Sequence, residues 1–69
     1  MYINAERNIP NLTEIFLDVY ESDYVLVKTA NHIPYVAKLC YDGEERSMRW
    51  ISDAGFNIEN VVRWMMIPK

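Results

Sequence analysis

The residues of this 69-residue chain that can do nucleophilic, acid–base or metal chemistry are few and widely spaced. His32 is the only histidine and Cys40 the only cysteine, and neither has neighbours at the spacing that a nucleophile–base pair or a zinc site requires. The adjacent carboxylates Glu44 and Glu45 flank a turn, where solvated carboxylates are ordinary. The chain has two glycines, too few for a glycine-rich phosphate-binding loop. We expect a turn histidine, a small buried thiol, no catalytic residue, no metal and no cofactor.

Acidic side chains are the more informative charged group. Ten acidic residues outnumber seven basic ones, which gives a net charge of −3. A negative surface fits a basic groove on a partner, and long-range attraction accelerates their encounter. The competing interpretation is an ordinary solvated face, because −3 is a modest charge. The candidate partner-binding residues are Glu14, Asp18, Glu21, Asp23, Asp42, Glu44 and Glu45.

Three arginines, Arg46, Arg49 and Arg63, lie near Trp50 and Trp64 in the sequence. An aromatic platform with flanking arginines can stack nucleic-acid bases. Two arguments disfavour direct nucleic-acid binding. A phosphate-binding surface usually brings a basic excess, and strand alternation places each tryptophan on the face opposite its arginine. We therefore expect core tryptophans beside solvent-facing arginines.

Residues 11–21 have the pattern of an amphipathic helix. Their apolar side chains recur at helical spacing and form one stripe. Asn11 and Glu14 form a capping-box-like start directly after Pro10, which cannot continue a helix backwards. The sequence therefore predicts a helix over 11–21. The residues of the stripe are Leu12, Ile15, Phe16, Val19 and Tyr20.

The remaining chain has an extended pattern, with β-branched and aromatic segments separated by turns at 31–34 and at Asp42-Gly43. The tail is ambiguous, because it suits either a short helix capped by Asn57 or a strand. The predicted strands cover residues 24–29, 35–41, 45–51 and 61–67.

These elements predict an α+β fold for a single small domain over 1–69. One N-terminal amphipathic helix packs on a three- to four-stranded antiparallel β-meander, because the sheet needs a cover for one face. The side chains expected in the core of the sheet are Tyr24, Leu26, Val36, Trp50 and Trp64.

Short motifs over about two thirds of the chain carry a family resemblance. They are the segments 6–10, 24–27 and 36–41, and above all 62–68, Val-Arg-Trp-Met-Met-Ile-Pro. This set resembles a small phage and prophage domain of unknown function, family five-fifty-one, which ends in V-x-H-W-M-P-L-P. Arg63 replaces the family's histidine, Met66 replaces a proline, and its opening tryptophan is missing. The resemblance implies a phage setting, favours a strand for the tail and lends no catalytic residues.

Together these features predict a non-catalytic, phage-encoded binding module that acts in the bacterial cytoplasm. Its expected partner is a host enzyme or defence complex, inhibited in the anti-CRISPR manner through the acidic surface. We expect no membrane partner, since the apolar runs fall short of about 20 residues and 1–6 lacks signal-peptide features. One alternative is a self-assembling accessory protein, such as a homodimer formed through a sheet edge or through Tyr2, Tyr35 and Phe56. A small nucleic-acid binder is the lesser alternative.

Overall fold

The computed structural model describes residues 1–68, and every regular element within them is a β-strand. All strand pairs are antiparallel. The sheet has the order β1-β8-β4-β5-β3-β2, while β6 pairs with β5 and with β7. The domain is therefore all-β, and the predicted α+β class is wrong. The strands are β1 (Ile3–Asn4), β2 (Thr13–Phe16), β3 (Val19–Glu21), β4 (Val25–Thr29), β5 (Pro34–Asp42), β6 (Ser47–Ser52), β7 (Asn57–Ile58) and β8 (Val61–Met66).

The segment predicted as a helix, 11–21, contains a β-hairpin instead. β2 and β3 pair through a turn in which Asp18 has a φ of 58°, a left-handed conformation that aspartate tolerates. A short helix is marginal in water unless another element of the protein buries its apolar stripe. Pairing with β5 instead satisfies the backbone of β3. The helical spacing was thus a coincidence, and Ile15, Phe16 and Leu17 are exposed by 55%, 74% and 81%.

The nine-residue strand β5 organises the sheet, with β3 and β4 along one side and β6 along the other. β3 and β4 run as nearly one strand, interrupted by a bulge at 22–24. Ser22 bridges the interruption, since its N–H donates to the Leu39 carbonyl at 2.9 Å and its Oγ accepts from the Leu39 N–H at 2.8 Å. The same hydroxyl donates to the Asp23 carbonyl at 2.8 Å. The buried polar groups of the bulge are therefore satisfied without a regular ladder.

The core lies on one face of the sheet, which we call the inner face. The N-terminal segment crosses it, held by a bond from the Ala5 N–H to the Val62 carbonyl at 3.0 Å. The Trp64 Nε1–H donates to the Asn8 carbonyl at 2.9 Å, which fixes the indole under this segment. The buried cluster is Val25, Val27, Ala37, Ile58 and Trp64.

The prediction of the core is wrong in β4 and β5, because it buries the face of these two strands that the structure leaves outside. Val25, Val27 and Ala37 are at most 1% exposed, whereas Leu26 and Val36 lie half-buried on the opposite, outer face. Tyr24, also predicted to be inside, is 43% exposed. Both faces of these strands are apolar in sequence, so the pattern does not specify which one is covered. The two tryptophans do point inward, with Trp64 buried and Trp50 packed against the cluster.

The ambiguous tail forms β8, a strand between β4 and β1. Its pairing with an interior strand satisfies backbone groups that a short exposed helix would leave to water. No helix long and apolar enough to cross a membrane occurs in the described part of the chain.

Candidate functional site

Two turns of the sheet lie side by side at one end of the molecule. The Gly43 N–H, between β5 and β6, donates to the Asp18 carbonyl of the β2–β3 turn at 2.7 Å. A side chain at Gly43 would place its Cβ 3.1 Å from that carbonyl oxygen, so this close approach favours glycine. The contact brings the acidic residues of both turns to one place. We call this surface the acidic end: Glu14, Asp18, Asp42, Glu44 and Glu45.

Hydrogen bonds within each turn hold the acidic end in shape. Asp42 Oδ1 accepts from the Glu44 N–H at 3.0 Å and from the Glu45 N–H at 3.3 Å. Glu14 Oε2 accepts from the Asp18 N–H at 3.3 Å. None of these carboxylates forms a salt bridge with another residue in the range 1–68. No ion pair within that range neutralises these carboxylates, although Arg46 stands in the same turn as Glu44 and Glu45.

Apolar side chains extend the acidic end along the β2–β3 hairpin. Ile15, Phe16 and Leu17 are more than half exposed, and Phe16 and Leu17 stand at the tip of the turn beside Asp18. β2 pairs only with β3, so the hairpin forms an edge of the sheet. An aromatic residue with apolar neighbours inside a charged rim is the usual composition of a protein-binding surface.

Two of the seven acidic candidates lie elsewhere. Glu21 is on the outer face, where Oε1 accepts from the Lys38 Nζ at 2.9 Å in a salt bridge. Asp23 lies within the bulge at 22–24 and lines an open cleft of about 410 Å³ with Pro10 and Trp64. The structure thus unites five candidates and separates two. The five acidic residues could be identified from their charge in the sequence. The contact between their two turns could not, because the Asp42-Gly43 dipeptide predicts only one of these turns.

Cys40 has the environment of an unreactive thiol. Its Sγ lies 3.7 Å from Glu21 Oε2. Burial, and then the negative charge of Glu21, raise the pKa of the Cys40 thiol above its ordinary value. The hydrogen bond that Lys38 Nζ donates to Glu21 raises the pKa of Lys38. A thiol whose pKa is raised holds little thiolate at neutral pH, so this group is a poor nucleophile.

Replacing Glu21 with glutamine should make Cys40 more reactive, because it removes the nearby negative charge that disfavours the thiolate. In the wild type we expect the rate of alkylation by iodoacetamide to rise with pH through a midpoint above that of a free thiol. The midpoint should fall in Glu21→Gln and stay unchanged in Glu14→Gln, which alters a carboxylate of the acidic end. An unchanged midpoint in Glu21→Gln would contradict the contribution of this carboxylate, which adds to the larger effect of burial.

The same pKa shifts predict how stability depends on pH. The folded pKa values of Cys40 and Lys38 are both raised, so the folded protein keeps these protons to higher pH than the unfolded chain. Their contribution to stability is complete below the unfolded pKa values. It is lost as pH rises through the folded values, so the decrease in urea midpoint that these two groups cause should fall in the alkaline range.

The remaining candidates for chemistry are dispersed. His32 is exposed in the β4–β5 turn with a φ of 62°, and its N–H donates to the Thr29 carbonyl at 2.9 Å. No cluster of three His, Cys, Asp or Glu side chains able to hold a metal ion is found within residues 1–68. Trp64 is 6% exposed, too deeply buried for its indole to stack on a base.

The sheet and its acidic end define a class, a small antiparallel β domain with an acidic, partly apolar surface at one end. Comparison with protein-family models, with curated proteins and with solved structures finds no match for this chain. The resemblance to the phage domain of family five-fifty-one therefore stays a prediction from the sequence.

Proposed function

We propose that this protein is a non-catalytic binding module whose acidic end docks into a basic, partly apolar groove on another protein. The observation that supports this proposal is the contact between Gly43 and Asp18, which joins two turns into one surface. Five carboxylates without salt-bridge partners within 1–68 then lie beside the exposed side chains of Phe16 and Leu17.

Charge and apolar area have separate roles in this proposal. The carboxylates attract a basic groove over a distance and orient the encounter, which raises the association rate and makes it sensitive to salt. Phe16 and Leu17 lose exposed area on docking, which slows dissociation. The turn hydrogen bonds of Asp42 pre-order the surface, so little conformational entropy is lost on binding.

The partner's identity comes from the sequence resemblance alone. In a phage setting it is a bacterial host enzyme or defence complex, met in the host cytoplasm. Occupying a basic groove denies it to its natural ligand, so the module acts as an inhibitor. No step of this mechanism requires a reaction at the acidic end.

The test begins with capture of partners from a bacterial lysate that contains active defence complexes, at low and at high salt. The recovered complex is then purified, and its association rate is measured for Glu14→Gln/Glu44→Gln/Glu45→Gln. We expect a decrease of about tenfold at low salt and a flatter salt dependence, since steering contributes roughly 10- to 1,000-fold to such rates. Asp42 is kept because its side chain holds the turn.

A matched control separates the acidic end from net charge. Glu6→Gln/Asp53→Asn/Glu59→Gln removes the same number of exposed carboxylates from outside the acidic end. This variant should retain most of the wild-type association rate. Equal losses in both triple variants would show that only the overall charge matters, and docking through the acidic end would then be wrong.

A further inference from the structure

Several basic residues also share one surface. The sequence predicted that Arg49 and Arg63 face solvent, but not which residues lie beside them. Strand alternation and the pairing register place four of the seven Lys and Arg residues on the outer face of the sheet, opposite the core. Between them lie apolar side chains that are only half-buried. We call this surface the outer basic face: Lys28, Lys38, Arg49 and Arg63, with Leu26, Val36, Ile51 and Met65.

One pair on this face is arranged unfavourably for the isolated molecule. Lys28 of β4 and Arg63 of β8 are direct cross-strand partners. Like charges directly opposite each other destabilise a sheet. The Tyr2 ring, 4.9 Å from the Lys28 Nζ, provides a cation–π contact. Neither cation has a salt bridge to a carboxylate among residues 1–68, whereas Lys38 on the same face has one to Glu21.

The acidic end of the same copy cannot neutralise this pair. Lys28 is paired with Pro34 at one end of β5, and Asp42 stands at the other end, eight residues further along. At about 3.3 Å per residue this separation is roughly 26 Å, well beyond the Debye length of about 8 Å at physiological salt. Each molecule therefore carries the acidic end and, far from it, the Lys28–Arg63 pair, although the outer basic face also reaches toward Asp42 through Arg49. Both surfaces include exposed or half-buried apolar side chains.

We propose that the outer basic face of one copy receives the acidic end of a second copy. Carboxylates such as Glu44 and Glu45 meet Lys28 and Arg63, and the apolar hairpin tip around Phe16 packs on the apolar centre of the face. The two surfaces are different patches of one chain, so the contact is heterologous and head-to-tail. Such a contact repeats into a filament, or into a ring where the rotation closes.

The available surface suits this contact. A copy exposes 5,244 Å², of which a standard interface of about 800 Å² per partner would cover roughly 15%. Because Arg63, Glu44 and Glu45 are exposed and Lys28 is only half-buried, the assembly should be sensitive to salt. It would also compete with docking of the acidic end on another protein, since both use the same carboxylates.

The test measures mass by sedimentation velocity as the protein concentration rises. At low salt the wild-type mass should at least double over the concentration series, and at about 0.5 M salt it should remain that of a monomer. Lys28→Glu/Arg63→Glu and Glu44→Lys/Glu45→Lys should each remain monomeric at low salt. Their equimolar mixture should assemble again, because the acidic end of the first variant fits the unaltered basic face of the second.

Controls keep the outcome decisive. Arg7→Glu/Glu59→Lys changes charges elsewhere and should assemble like the wild type. Circular dichroism establishes that each variant is folded. If Lys28→Glu/Arg63→Glu does not fold, Lys28→Gln/Arg63→Gln takes its place, because it removes the two positive charges without introducing negative ones. A monomeric wild type at every concentration, or a mixture that does not assemble, overturns the proposal.

A nucleic-acid ligand for the same face is distinguished with a single-stranded oligonucleotide as probe. If the wild type is monomeric and binds the oligonucleotide, and Lys28→Glu/Arg63→Glu loses that binding, the face serves a phosphate backbone and self-assembly is wrong. A monomeric wild type leaves docking of the acidic end on another protein unaffected, so the two proposals fail separately.

Discussion

Replacing Trp64 with alanine is expected to lower the free energy of unfolding by about 3–5 kcal/mol, the usual loss for a large buried aromatic residue. Trp64 is 6% exposed, packs in the main cluster, and ties the N-terminal segment to the sheet through its bond to the Asn8 carbonyl. A domain of this length has a total stability of roughly 3–10 kcal/mol. The substitution should therefore remove between about a third and all of the total stability.

Urea denaturation followed by far-UV circular dichroism measures this loss. Trp64→Phe, which keeps an aromatic ring but not the N–H donor, should lose much less stability. The matched control is Trp50→Ala, because Trp50 is only partly buried at the edge of the same cluster. If Trp50→Ala is as costly as Trp64→Ala, then Trp64 is not the residue that closes the core.

Leu39→Ala should cost about 2–5 kcal/mol, whereas Leu26→Ala should cost about 1 kcal/mol or less. The two substitutions remove the same atoms from neighbouring interior strands. Leu39 is 2% exposed on the inner face, and Leu26 is half-buried on the outer face. The difference between the two urea midpoints therefore reports which face of the sheet is covered.

The opposite ranking, with Leu26→Ala the more damaging change, would mean that β4 presents Leu26 and Lys28 to the core. That result would also remove the outer basic face. Val27→Ala provides an independent check in β4 itself, since Val27 is fully buried and its neighbour Leu26 is not. We expect Val27→Ala to be the more destabilising of these two changes.

The acidic end could be anticipated from the sequence only in part. Clusters of carboxylates around a predicted turn at Asp42-Gly43 indicated one acidic turn, and this is where Glu44 and Glu45 lie. The acidic residues at 14–21 were expected on a helix. Their position beside Gly43 depends on β3 pairing with β5, a contact between residues about twenty positions apart that local patterns do not report.

The outer basic face could not be predicted from the sequence, for a different reason. Arg49 and Arg63 were expected to face solvent because they alternate with Trp50 and Trp64, and the pairing register agrees with that expectation. Alternation does not tell which strands are neighbours, however. Lys28 meets Arg63 only because β8 returns to pair with β4 rather than continuing the meander.

By itself the sequence determined the small size, the acidic balance, the extended character of most of the chain after residue 24 and the inward orientation of the tryptophans. These properties follow from composition and from residue-by-residue alternation, which are local. Only the tertiary structure decided that 11–21 contains a hairpin and that Val25, Val27 and Ala37 are buried instead of Leu26 and Val36. In both cases the local pattern permits two alternatives: helix or hairpin for 11–21, and burial of one face or the other for β4 and β5. Long-range strand pairing, and the cover that the N-terminal segment places over one face, select between them.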